Sequence, residues 1–296
     1  MQNYWWLLAI GVSLLTSAYV YVNQFIKIKG SLLMVYRGLG TAAVLLPFVF
    51  IFSPIHNWSF YGLCIAQGLV ISLGDNRILN GAKTFGAQVT SLIHPLSIAF
   101  IFVFWILLHP AEIAVFVNSP LHLGLVLACL LGTTVALIFI LQAKASRKAL
   151  SFLALGMFCE IFIDVTNKET THLGAENLVS AIYYYTFITS LVAGSVNLAV
   201  HLRRGHKLLE VFDRKNLHFA WFFMLFAIIH GVLKTYAMYL TPNPAYVAAI
   251  VHAYPVWILL FNRFNHRQDY VKIKPQFILL LLISIVGLIF LTGHTH

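Results

Sequence analysis

The sequence predicts an all-α integral membrane protein with ten transmembrane helices arranged as two inverted five-helix repeats. Three observations lead to this fold class. First, 60% of the 296 residues are hydrophobic and only 9% are charged, whereas about a quarter of a soluble domain is charged. Second, ten apolar stretches approach the roughly 20 residues that a helix needs to cross a bilayer. Third, one short motif occurs in both halves of the chain.

The ten predicted spans follow one another with short connections. The first begins at Tyr4 without a basic or cleavable leader, so it is expected to be a retained helix. The ten spans are residues 4–22, 31–52, 58–80, 88–108, 121–142, 149–167, 178–200, 217–240, 244–262 and 276–292.

Basic residues gather on one side of the predicted membrane. Sixteen of the 19 Lys and Arg residues fall at the connections that follow the odd-numbered helices. The positive-inside rule makes these connections cytoplasmic and places both termini on the other side. The net charge of +10 therefore records orientation and does not predict a nucleic-acid partner. We expect a monomer in the lipid bilayer of a bacterial inner (plasma) membrane.

The repeated motif sets the domain organisation. Ala-x-Val-x-x-aliphatic-aliphatic-His occurs at residues 87–94 and again at 245–252, and a proline follows each copy, Pro95 and Pro255. Aligning the copies places helices 1–5 on helices 6–10. Because five is odd, the second copy enters the membrane from the opposite side, which relates the copies by a pseudo-two-fold axis in the membrane plane. The predicted divisions are a first repeat, a basic connection and a second repeat: residues 1–142, 143–148 and 149–296.

This organisation resembles that of a known transporter family. The features that carry the resemblance are V-Y-R-G-L-G at residues 35–40, the proline-containing fourth helix repeated as the ninth, and A-L-G-M-F-C-E-I-F-I-D-V-T-N-K at 154–168. With five plus five helices and short loops, nearly the whole chain resembles the drug/metabolite transporter superfamily, in particular its EamA-like branch of ten-helix permeases. The resemblance implies a secondary transporter that works by alternating access.

Charged residues inside the predicted spans form two candidate pairs. Arg37 and Asp75 share a predicted depth near the basic face, which favours a structural ion pair. Asp164 and Lys234 are matched in depth toward the other face. For this second pair a structural role and a substrate-binding role both stay open, because the eighth helix of such folds lines the central cavity.

Glu160 lies one turn from Asp164 on the same helical face, near the middle of the bilayer, and no basic residue is evident at its depth. Desolvation favours the neutral form of a carboxyl group there. Glu160 and Asp164 are therefore the candidate proton-coupling residues. The alternative is that Glu160 is permanently protonated and hydrogen-bonded to a neighbouring helix.

The two motif histidines are expected to meet near the pseudo-two-fold axis and to line a cavity at mid-depth. His94 immediately precedes Pro95, and His252 lies three residues before Pro255. The two prolines are expected to leave the carbonyls of Ser91 and Val251 without their helical donors. Two imidazoles are too few for a metal centre, so neither a metal nor a cofactor is expected. The predicted substrate-binding residues are His94, His252, Lys234, Ser91, Thr90 and Tyr236.

The mixture of an ammonium, two imidazoles and two carboxyls favours a small polar metabolite as substrate, such as an amino acid. One alternative is an exporter of organic cations or drugs, with Glu160 and Asp164 as counter-charge and aromatic rings such as Tyr236, Tyr239 or Trp257 around the cation. Another is an integral-membrane enzyme with His94 or His252 as general base. We expect a transporter and not an enzyme.

Overall fold

The computed structural model describes residues 4–23, 29–85, 87–142, 146–264 and 274–293. Within these ranges all regular structure is helical. We number the long helices in chain order and divide two of them where they are broken. They are α1 Trp5–Asn23, α2 Gly30–Phe50, α3 Trp58–Phe85, α4a Ala87–Thr90, α4b Ile93–Leu108, α5 Pro120–Leu141, α6 Arg147–Leu173, α7 Leu178–Arg203, α8 Arg214–Leu240, α9a Pro244–Val251, α9b Tyr254–Phe264 and α10 Pro275–Gly293.

Eight helical stretches in the described residues are long and apolar enough to cross a membrane. They include α1, α2, α5, α6, α7, α8, α10 and the two pieces of α9 together. Of the remaining helices, α4b is apolar but has only 16 residues, and α3 carries Gln67, Asp75 and Arg77 among its apolar side chains. The chain therefore has the all-helical build of a membrane protein.

The helix α6 is longer than predicted at its C-terminal end. It begins after Ser146, whose side chain accepts a hydrogen bond from the Ala149 amide, and ends before Gly174. The extension buries Lys168, which was expected in a loop. Its Nζ donates to the carbonyls of Tyr239 (3.2 Å) and Thr241 (2.5 Å) at the end of α8. A cation at a helix C-terminus satisfies carbonyls that lack helical donors.

The predicted basic connection, 143–148, is divided in the structure. Residues 143–145 lie outside the described ranges, whereas Arg147 and Lys148 already belong to the first turn of α6.

The helices α4 and α9 are both interrupted at the motif. The break in α4 spans residues 91–92, and that in α9 spans 252–253. The Ser91 carbonyl was expected to lack a donor, and this was wrong, because a tighter turn brings the His94 amide to it at 3.4 Å. The Pro95 carbonyl accepts a hydrogen bond from Thr134 of α5 at 3.2 Å.

The packing of the long helices is regular. The helix α1 packs on α8 and on both parts of α9, whereas α6 packs on α3 and α4b. The helix α7 packs on α2 and α3, and α2 also packs on α8. The last helix, α10, lies along α5. This arrangement surrounds the broken helices with α1, α5, α6 and α8, so the motif residues lie in the interior.

The helix α2 contains a π-helical segment, Tyr36–Gly40, where it meets α7. Gly38 and Gly194 allow the two backbones to touch, because a Cβ on either glycine would overlap backbone atoms of the other helix. Segments of this kind are rare and frequently occur at functional sites. Arg37 lies inside this one.

Candidate functional site

Five ionisable side chains from four helices meet in the interior of the bundle. His94 comes from α4b, Glu160 and Asp164 from α6, Lys234 from α8 and His252 from the break in α9. We call these five residues the central cluster. Asp164 is fully buried and His252 is 3% exposed. The side chains of His94 and Glu160 are partly exposed, at 19% and 14%, so the cluster is largely but not completely shielded from solvent.

Asp164 and Lys234 form the shortest ion pair of the cluster. The Lys234 Nζ is 2.5 Å from Asp164 Oδ1. The second oxygen, Asp164 Oδ2, is 3.9 Å from His252 Nε2. Two charges removed from water in this way are costly unless they remain together. The pair therefore joins α6 to α8 and also contacts α9.

Glu160 lies between the two motif histidines. Its Oε1 is 3.7 Å from His94 Nδ1 and 3.7 Å from His252 Nε2. These distances are too long for direct hydrogen bonds but close enough for strong electrostatic interaction. The expectation that Glu160 has no basic group at its depth was therefore wrong. No lysine or arginine was expected at that depth, but the imidazoles of His94 and His252 are also basic groups.

The two imidazoles also contact each other, with ring centroids 4.9 Å apart. Within the described residues, neither His94 Nδ1 nor His252 Nε2 has a hydrogen-bond partner, although both atoms are buried. Buried polar nitrogens without partners are uncommon. Each of these two nitrogens is therefore available to a proton or to a ligand atom.

Tyr254 belongs to this site and was not among the predicted residues. Its ring meets that of His94 edge to face at 5.7 Å, and the side chain is buried. It follows His252 by two residues and immediately precedes Pro255. This position, beside the motif histidine and its proline, is the sequence feature that could have identified Tyr254 as a site residue.

The predicted residues Thr90, Ser91 and Tyr236 are not members of the central cluster. Thr90 is buried and lies against Gly81 of α3, whereas Ser91, in the break of α4, is hydrogen-bonded to the Tyr254 side chain. Tyr236 is half-buried. It follows Lys234 by two positions, and helix residues two apart do not face the same side.

A buried hydrogen-bond network lies beside the cluster on α3, α6 and α7. The Tyr185 hydroxyl accepts hydrogen bonds from Gln67 at 2.7 Å and from Asn167 at 2.8 Å. Gln67 also donates to the Ile163 carbonyl, one residue before Asp164. Tyr185 is one of three consecutive tyrosines, 183–185, which cannot all share one helix face. Their spacing does not reveal which of the three points inward.

Arg37 and Asp75 join α2 to α3. The Arg37 Nη1 is 3.2 Å from Asp75 Oδ1, and the two side chains are 32% and 16% exposed. The pair connects the π-helical segment of α2 to its neighbour. Its partial exposure distinguishes it from the Asp164–Lys234 pair.

Among the described residues, two groups of side chains have the spacing needed to hold a metal ion. The ligand atoms of His94, Glu160 and His252 lie within 4.8 Å of one another. Glu160 is thus the third possible ligand, which was not evident from the sequence. The ligand atoms of a second group, His109, Glu169 and His172, also lie within 4.8 Å of one another, near the C-terminal end of α6.

Comparisons with known proteins identify the fold but no function. No protein-family model and no curated protein matches the chain, whereas 15 chains of solved structures do. One of these, described only as a crystal structure of a protein, has a TM-score of 0.68 at 12% sequence identity over 99% of this chain and 100% of its own. At this identity the likeness shows a shared fold alone.

Proposed function

We propose that the protein is a secondary transporter that moves a small polar metabolite, such as an amino acid, across a membrane by alternating access. The observation that carries the proposal is the central cluster. Ionisable groups within membrane-spanning helices are costly, and they mark substrate and proton pathways. Here five of them come together from α4b, α6, α8 and α9.

The packing of the helices supports two inverted five-helix repeats. If each helix of one half is exchanged for its counterpart in the other, the contact of α1 with α8 becomes that of α6 with α3. In the same way, α2 on α8 becomes α7 on α3, and α1 on α9 becomes α6 on α4. Transporters built from such repeats bind substrate near the membrane midplane, on broken helices at the repeat interface. The breaks in α4 and α9 occupy that position in this arrangement.

The charges of the cluster suit a zwitterionic substrate. The carboxylate of an amino acid can replace Asp164 as the partner of Lys234, and its ammonium group can approach Glu160. The displaced Asp164 carboxylate then needs a proton, or the neighbouring His252 imidazole at 3.9 Å, to compensate its charge.

Glu160 and the two imidazoles supply a proton site. A single proton can be held by any of the three, because both facing nitrogens are 3.7 Å from the same carboxylate oxygen. Bringing a cationic substrate group to Glu160 competes with that proton electrostatically. This competition is the means by which we propose that a proton gradient drives transport.

Organic cations are the second candidate substrates. Lys234 is already paired with Asp164, which leaves Glu160 flanked only by imidazoles, and Tyr254 adds an aromatic ring next to His94. A cation–π contact requires such a ring close to the charge. Trp257, suggested for this role by the sequence, instead donates a hydrogen bond to Ser13 of α1 at 3.2 Å.

A thermal-shift screen of the purified protein against amino acids and organic cations tests the proposal. A compound present at 100 times its Kd stabilises the folded state by about 2.7 kcal/mol. The expected result is that one class stabilises the parent protein and has no effect on the Lys234→Met, Asp164→Leu double variant. Equal stabilisation of both by every active compound would place binding elsewhere and contradict the proposal.

A further inference from the structure

Three side chains near the C-terminal end of α6 form a second group, separate from the proposed transport site. Two of them, Glu169 and His172, belong to α6 itself. These two residues are three positions apart in the last turns of α6, so they project from one face of the helix. His109, just after α4b, faces them, with its Nε2 3.2 Å from Glu169 Oε2. The rings of His109 and His172 are 6.0 Å apart. We call these three residues the terminal cluster.

His109 is held in the orientation that a metal ligand needs. Its Nδ1 is 3.2 Å from the Trp105 carbonyl, to which an Nδ1–H donates, and this leaves the Nε2 lone pair facing Glu169. Ligand histidines are usually fixed by such a bond from the second ring nitrogen. The Trp105 indole also stacks on the imidazole at 3.8 Å, and its Nε1 donates to both oxygens of Glu112 at 3.0 Å.

The backbone at His109 fixes the position further. The residue ends α4b and also precedes a short helix, Pro110–Val117, whose Glu112 amide donates to the His109 carbonyl at 2.9 Å. Two helices therefore hold its main chain. The side chain is oriented before any ligand arrives.

The Oε2 atom of Glu169 faces His109 Nε2 at 3.2 Å. Within the described residues this oxygen is buried and accepts no hydrogen bond. The adjacent cation, Lys168, does not take that role, because its ammonium donates to the Tyr239 and Thr241 carbonyls at the end of α8. The carboxylate therefore remains available to a ligand that approaches His109.

The donor set selects a class of ion. Two imidazoles and one carboxylate suit Zn²⁺ and neighbouring divalent transition metals, whereas Mg²⁺ and Ca²⁺ prefer oxygen ligands alone. Zn²⁺ lies about 2.0–2.2 Å from such ligands, so that tetrahedral neighbours are roughly 3.3 Å apart. The separation of His109 Nε2 from Glu169 Oε2 is 3.2 Å, and all three ligand atoms are within 4.8 Å. Rotation of the exposed His172 side chain closes the remaining distance.

We propose that His109, Glu169 and His172 form a binding site for a divalent transition-metal ion of the zinc type, with water in the open coordination position. The exposed His172 gives a hydrated ion an entry path, which the buried His252 of the central cluster does not. The bound ion would join the end of α4b to the end of α6. The site stands on its own geometry and does not depend on the protein being a transporter.

Calorimetric titration of the purified full-length protein in detergent with Zn²⁺, without an affinity tag, tests the site. The parent is expected to bind one ion tightly, and Glu169→Gln and His172→Gln are each expected to weaken binding at least about 100-fold, since loss of supporting groups alone costs 10–100-fold. His122→Gln is the matched control, because His122 begins α5 near the same end of the bundle and stacks on Phe116. His94→Gln tests the central cluster as the alternative location.

Co²⁺ gives a second, spectroscopic readout. An ion at His109 is expected to quench the fluorescence of the stacked Trp105, and Trp105→Phe should remove the quenched component. Undiminished binding in both Glu169→Gln and His172→Gln would overturn the proposal. So would loss of the site in His94→Gln with the two terminal variants intact.

Discussion

Lys234 and Asp164 form a buried ion pair at 2.5 Å between α8 and α6, and the Asp164 side chain is fully shielded from solvent. Removing one partner leaves the other charge uncompensated, which costs about 3–5 kcal/mol. We expect Lys234→Met and Asp164→Leu each to destabilise the protein by that amount in thermal unfolding. The double variant should recover most of the loss, because the replacement of a buried pair by apolar groups is often neutral. Additive losses in the double variant would show that the two side chains are not coupled.

The Glu160→Gln variant distinguishes a proton-driven carrier from a carrier that only exchanges its substrate. In Glu160→Gln the side chain keeps its size and stays neutral. We expect reconstituted vesicles to lose transport driven by a pH gradient and to keep substrate counterflow. Glu176→Gln, in the exposed connection before α7, is the control and should behave as the parent. If Glu160→Gln responds to the gradient as the parent does, the carboxyl is structural.

Gly38 and Gly194 set the distance between α2 and α7. A Cβ at position 194 would overlap the backbone of Gly38 and Leu39, which cannot move away as a flexible side chain can. We expect Gly194→Ala to destabilise the protein by about 1–3 kcal/mol in thermal unfolding. Gly124→Ala is the control, because a Cβ there meets nothing within 4 Å. An alanine inside a helix should be neutral or stabilising by about 0.5–1 kcal/mol. Similar values for the two variants would contradict the close approach.

Glu210 and Lys29 join the connection before α8 to the start of α2. The hydrogen bond from the Lys29 Nζ at 2.8 Å lowers the pKa of Glu210 below its ordinary value. A carboxyl whose folded pKa is depressed adds stability above its unfolded pKa, and this is lost as the pH falls through the folded value. His201 Nε2, at 3.9 Å, and the Lys207 amide face the same carboxyl.

The pair is exposed, so the expected effect is small. Glu210→Gln should melt below the parent near neutral pH, and the two melting temperatures should converge at a pH well below the ordinary carboxyl pKa of about 4.3. Thermal unfolding across this pH range, with Glu176→Gln as the reference, measures the difference. A constant difference at all pH values would assign the effect to packing.

The proposed orientation rests on the distribution of basic residues. A cysteine in place of Gly205, in the connection after α7, should resist a membrane-impermeant thiol reagent in intact cells, and one in place of Glu176 should be labelled. Cys64, Cys129 and Cys159 are replaced in the background to give a clean signal. The reverse pattern would place both termini in the cytoplasm.

Depth along a helix is linear in residue number, which is why Arg37 could be matched with Asp75 and Asp164 with Lys234 from the sequence alone. The rotation of each helix about its axis is not available in that way. It decides that the Tyr254 ring contacts that of His94. These positions depend on how neighbouring helices pack.

The C-terminal boundary of α6 could also not be predicted from the sequence. The polar run after Asp164 looks like the start of a loop, but Lys168 is stabilised by the carbonyls at the end of α8, and the helix continues to Leu173. The terminal cluster exists only because of this extension. A contact with a distant helix thus decided a local boundary.

The most direct test of the proposed transport site is substrate counterflow in vesicles that contain the parent or the Lys234→Met, Asp164→Leu double variant. The compound is one found by the thermal-shift screen, and the double variant is first shown to be folded by its melting temperature. The account predicts rapid exchange by the parent and none by the folded double variant, because Lys234, which receives the substrate carboxylate, is gone. Exchange by the double variant at the parent rate would contradict it.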